Sequence, residues 1–204
     1  MRHLMNAGRW ARHLQKQADM SDKFIVEHCS PTLAGIKTGN LFSVRMQADT
    51  NLNKELIRLN KLLHEKGLCA IPIKKTDEYA LIYLYRPDHL GRDLSNPEAV
   101  KILNEKGYTC GNINKCIARL ISQLSIQGDF PHEIGLFLGY PPEDVKGFMN
   151  DPSKGVKCTG FWKVYGNEKR ARELFGEYKR CTRSYKAELE KGKTLYELVV
   201  PRQA

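Results

Sequence analysis

The chain has 204 residues, 41% of them hydrophobic and 27% charged, with a formal net charge of +10, a balance that excludes wholesale disorder. No stretch approaches the roughly 18 consecutive apolar residues that a membrane-spanning helix requires, so no membrane partner is expected. Six cysteines (Cys29, Cys69, Cys110, Cys116, Cys158 and Cys181) form no Cys-x-x-Cys pair and follow no apolar export signal, so they read as free thiols in a cytoplasmic protein, with no metal site.

The charge is unevenly spread. Residues 1–19 carry +3, residues 20–145 carry 0 and residues 146–204 carry +7. Residues 1–19 read as a basic N-terminal extension, either an amphipathic helix carrying Leu4, Trp10 and Leu14 or an added, disordered start ahead of Met20-Ser21-Asp22-Lys23. Residues 20–204 read as one domain. The segment from His28 to Asn40 is rich in small and polar residues, and its Pro31 points to a turn or a helix start.

Leu52, Leu56, Leu59, Leu62 and Leu63 recur at helical spacing, which predicts a helix over 51–65 stopped by Gly67. Two strands follow, 68–73 and 79–85, joined by a polar connection of hairpin length. Apolar residues on both faces of the second mark it as central in a small sheet. Short helices are predicted over 97–106, 112–127, 131–138 and 142–149, and a third strand over 161–165. Alternating charges from Glu168 to Glu190 predict a long water-facing helix, and 195–200 forms a short last element. Strands and helices do not alternate strictly, so the fold class is α+β: a single domain with a small, mainly antiparallel sheet and several packed helices.

Three segments invite a functional reading. Cys29, with Lys37 nearby and a helix start beside it, is the candidate nucleophile, and His132 its candidate base. Lys37, Asn40, Glu133, Trp162, Lys163 and Tyr165 complete a hypothetical pocket for a small molecule. No cofactor is named by the sequence. A second reading takes Gly135, Gly139 and Val145 as a helix-turn-helix spacing over 131–149, in a nucleic-acid-associated regulator; the carboxylates of Glu143 and Asp144 weigh against it. A third is a protein-interaction module without catalysis. Phosphate-binding glycine loops with a lysine, His-Glu-x-x-His and Gly-x-Ser-x-Gly are all missing, which removes the commonest nucleotide, zinc-protease and serine-hydrolase classes.

The segments HCSPTLAGIKTGNLF, FPHEIGLFLGYPPEDVKGFM and GFWKVYG together resemble an uncharacterised family found mainly in anaerobic Gram-positive bacteria. That family is catalogued as a domain of unknown function. The resemblance spans roughly residues 22–190 and implies a bacterial cytoplasmic protein. It implies no reaction and assigns no residue a role.

Overall fold

The computed structural model describes residues 20–46, 51–126 and 130–202. The N-terminal basic segment, with both readings given to it, lies outside the described residues. Among those described, nine α-helices and five strands form an α+β arrangement.

Helix α1 (Asp22–Leu33) starts at Ser21, whose hydroxyl accepts from the Phe24 amide. Pro31 lies inside its last turn rather than at a helix start, because the amide that proline lacks is lost only near the end of the ladder. The Pro31 carbonyl then accepts from the amides of Ile36 and Lys37, while Gly35 takes φ +76° and turns the chain back. Strand β1 (Gly39–Arg45) follows. Helix α2 (Leu52–Leu63) buries Leu52, Leu56, Leu59 and Leu63 of the leucine stripe read from its period, leaves Leu62 half-buried, and ends through a short 3-10 turn and Gly67 at φ +79°. Strands β2 (Cys69–Lys75) and β3 (Tyr79–Tyr85) form the expected hairpin.

The sheet is antiparallel with order β1-β3-β2, so β3 is indeed central. Its third strand is β1, registered with Gly39 opposite Tyr85 and Arg45 opposite Tyr79. The predicted third strand over 161–165 is corrected. Only Lys163–Val164 (β5) pairs there, and it pairs with Cys158–Thr159 (β4) in a separate two-stranded hairpin. Pro72 is tolerated because β2 is an edge strand, and a register shift between Pro72 and Lys74 follows it.

Alternation along the sheet gives each face its own core. Phe42, Val44, Ala80, Ile82 and Leu84 pack with α1, α2 and α9 (Leu195–Leu198). On the other face Ile73, Leu81, Tyr83 and Tyr85 pack with α3 (Pro87–Leu94), α4 (Pro97–Glu105), α5 (Ile113–Ser125), α6 (Ile134–Phe137) and α7 (Pro142–Asn150). A third cluster of Trp162, Val164, Ala171, Phe175 and Tyr178 joins the hairpin to the long helix α8 (Glu168–Glu190). Helix α8 lies along α1 and presents the expected surface pairs, Glu168 with Arg172 and Glu188 with Lys191. No described helix is long and apolar enough to cross a membrane.

Candidate functional site

The β4–β5 hairpin is held against α7 by one carboxylate. Pro142 at the first position of α7 places Asp144 in its first turn. Asp144 is 2% exposed, and its Oδ2 accepts from Trp162 Nε1 at 2.7 Å. Its Oδ1 accepts from the backbone amides of Tyr165 and Gly166, both at 2.7 Å. Three donors converging on a buried carboxylate compensate for its lost hydration. The hairpin also needs close approach. A β-carbon on Gly160 would fall 2.2 Å from the Phe175 ring, and one on Gly147 would fall 2.4 Å from Tyr165.

Between this hairpin and the α6–α7 segment lies a cleft of about 510 Å³. Its walls are mainly apolar and aromatic: Ile134, Leu138, Val145, Phe148, Phe161 and Trp162. Tyr140 stacks on Trp162 with ring centroids 4.6 Å apart. Phe161 remains 40% exposed beside it. Polar character gathers around one ring. The His132 imidazole meets Phe148 edge-on at 5.0 Å, and Lys163 Nζ lies 5.8 Å from the same ring while donating to the Pro152 carbonyl at 2.8 Å. The cleft therefore combines a long apolar wall with a small cationic and imidazole-bearing end.

Three of the expected residues, His132, Trp162 and Lys163, thus line one cleft. The others do not. Glu133 is buried and accepts from the Tyr108 hydroxyl at 2.9 Å. Tyr165 packs on Gly147, and its hydroxyl donates to Pro152 O at 3.1 Å. Asn40 accepts from Thr32 Oγ1 at 2.7 Å and ties β1 to the end of α1. Lys37 is 5% exposed, donates to the Gly39 carbonyl, and reaches the cleft only indirectly, with Nζ 5.4 Å from the Tyr140 centroid.

Cys29 lies far along α1, in the core on the opposite sheet face from the His132 cleft, and is 0% exposed. Its helix begins at Asp22, so the expected helix N-terminus beside the thiol is not there and the dipole offers the thiolate nothing. Burial pushes the thiol up to about 12, with Lys37 acting weakly the other way. The placement gives no Cys29–His132 dyad. None of the six cysteines is in a disulfide.

The 131–149 segment has one feature of the helix-turn-helix spacing: a β-carbon on Gly135 would fall 2.8 Å from Val145 Cγ2, and Gly139 turns at φ +74°. Its first helix, however, is four residues long, and α7 is covered by the hairpin through Asp144 and Gly147. A helix clasped in that way does not present its face to a DNA groove.

Sequence reasoning missed Tyr140, Asp144 and Phe148. No local signal marked Asp144, since its three donors come from 18 to 22 positions along the chain.

A family model described as a protein of unknown function (DUF3793) matches residues 25–199, so the chain belongs to that family. No curated protein and no solved structure matches it.

Proposed function

We propose that this DUF3793 member binds a small molecule with a flat or chain-like apolar body and an acidic head, held in the cleft between α6–α7 and the β4–β5 hairpin. The observation that carries the reading is the cleft itself. A cleft of about 510 Å³ bounded by aromatic side chains falls within the ~300–1,000 Å³ usual for small-molecule sites. The aromatic wall of Tyr140, Phe148, Phe161 and Trp162 supplies contact area for the apolar body. Lys163 and His132, meeting at Phe148, supply the polar end that fixes orientation. Thiol chemistry at Cys29 forms no part of this reading, because that thiol is sealed and protonated.

The sequence contains two tryptophans, Trp10 and Trp162, so a Trp10→Phe background isolates the cleft emission. Titration with medium-chain fatty acids and aromatic carboxylates is expected to shift Trp162 fluorescence saturably. Lys163→Met should weaken the acids about tenfold while leaving their neutral amides unchanged, the loss of roughly one charge-assisted hydrogen bond. Thr159→Phe, at an exposed position of the cleft wall, should weaken both. A Trp162 signal indifferent to every probe, together with no small molecule in extracts of the purified protein, would end the proposal.

A further inference from the structure

A second cleft, of about 890 Å³, lies away from the hairpin and has the opposite chemistry. It is built where α3 begins, beside the turn that ends α1, the turn after α2 and the C-terminal tail. Helix α3 is amphipathic: Leu90 and Leu94 are buried, and Asp88, His89, Arg92 and Ser95 fall on its cleft side.

The floor is Arg86, only 4% exposed. Its Nε donates to Thr32 O at 2.8 Å, and its Nη2 to Leu33 O and Val200 O, both at 2.7 Å. Nη1 reaches Lys66 O only at 3.5 Å. These are carbonyls, two of them at the C-terminal end of α1, where the helix dipole favours a cation. No described carboxylate pairs with this guanidinium. A guanidinium has five N–H donors, so one on Nη1 is left over after these contacts. Gly35 lies beside it, where a β-carbon would meet the guanidinium at ordinary contact distance, 3.7 Å.

Above this floor stand Arg92 and Arg202, with Asp88 as the one carboxylate of the lining. Asp88 is paired with Arg202 at 2.6 Å. Three guanidinium groups against one carboxylate leave a positive excess at the cleft. His89 reports that excess. Burial depresses its pKa most, Arg92 and Arg86 depress it further, and Asp93 and Asp88 oppose them.

We propose that this cleft binds a phosphorylated small molecule, its phosphate held between Arg86, Arg92 and Arg202. Planar guanidinium forks suit phosphate oxygens, and the volume beyond them leaves room for the organic part of the ligand. The site is separate from the apolar cleft and does not depend on the reading given to it.

The test uses the whole chain with inorganic pyrophosphate as probe, followed by calorimetry and by the ring resonances of His89. Binding should move those resonances and raise the His89 pKa, because an anion offsets the two arginines. Arg92→Gln should weaken pyrophosphate at least tenfold. Asp88→Asn should tighten it severalfold, since the competing carboxylate is gone and Arg202 is released. Both positions are exposed, so the variants should fold. A purely structural role for these residues predicts no such opposed pair of effects. The inference is overturned if pyrophosphate perturbs the lysines of α8 as much as His89, if Arg92→Gln binds like the parent, or if Asp88→Asn fails to tighten binding.

Discussion

The two faces of the sheet hold similar residue types in opposite circumstances. Under α1 the side chains of Phe24, Ile25, Val26, Cys29 and Phe42 are at most 1% exposed. Across the sheet, the helical layer runs outward to a hairpin and a cleft in which Phe161 stays 40% exposed. A thiol in the first region is inert packing material, whereas an imidazole in the second lines a cavity. Local sequence composition marked both segments as unusual, but burial decides which of them can meet a ligand.

The sharpest way to break this contrast is to label the thiols. Cys29 should react with a thiol reagent only through unfolding, at least about a thousandfold slower than in the denatured chain, given ordinary domain stabilities. The half-exposed Cys69, Cys110, Cys158 and Cys181 should react sooner. Rapid modification of Cys29 in the native protein, located by peptide mapping, would overturn the sealed-face description. Truncation measures the same contrast in energy. Phe24→Ala should cost about 3–5 kcal/mol, and Phe161→Ala less than about 1 kcal/mol, by denaturant titration.

A smaller effect sharpens the outer region. Asp144→Ala strands the Trp162 indole N–H and the amides of Tyr165 and Gly166. We expect a loss of about 2–4 kcal/mol, since each stranded buried donor costs on the order of 1–3 kcal/mol and part of the hairpin can rehydrate. Hydrogen exchange should show the loss concentrated in residues 157–166. A uniform loss across the sheet would mean that the hairpin is not a separately fastened unit.

How far the sequence was legible follows the same division. Helix α2, the β2–β3 hairpin and α8 could be read because their patterns are local: a leucine stripe, two apolar runs around a polar turn, and alternating charges. Helix α1 was not, because Ser30, Pro31 and Thr32 look like loop residues. In the fold the Ser30 hydroxyl bonds back to Val26 O, and the main-chain carbonyl of Thr32 is taken by Arg86, 54 positions away. Strand β1 hid for a related reason, as its Gly39-Asn40 start is polar and its partners on β3 are 34 to 46 residues distant. The aromatic run at 161–165 looked like a strand of the sheet, yet its rings pack on α8 and stack on Tyr140 instead. Of the cleft, the side chains at its polar end were legible by type. The Asp144 clasp that shapes it was not, because a buried carboxylate is betrayed only by donors brought from elsewhere in the chain.

The gentlest test uses pH, because Lys37 lies where the two regions meet, with Cys29 on one side and Tyr140 on the other. Burial lowers the Lys37 pKa to about 7 from 10.5, against the weaker opposing pull of Cys29 and Asp93. Between those values the unfolded chain holds a proton that the native state has released, so stability must rise with pH there, by at most about 1.4 kcal/mol per unit. Cys29 acts in reverse from pH 9 upward, because its unfolded thiol ionises at 9.0 and the native one only near 12. The two contributions separate in the interval from pH 7 to 9, below which the depressed His28 and His89 take over. Midpoint denaturant concentrations should climb by a modest amount across that interval in the parent and stay flat in Lys37→Met, which keeps the stem and removes the charge. Equal slopes in the two proteins would mean that Lys37 ionises as it does in water, and that the seam between the sealed core and the cleft is wet.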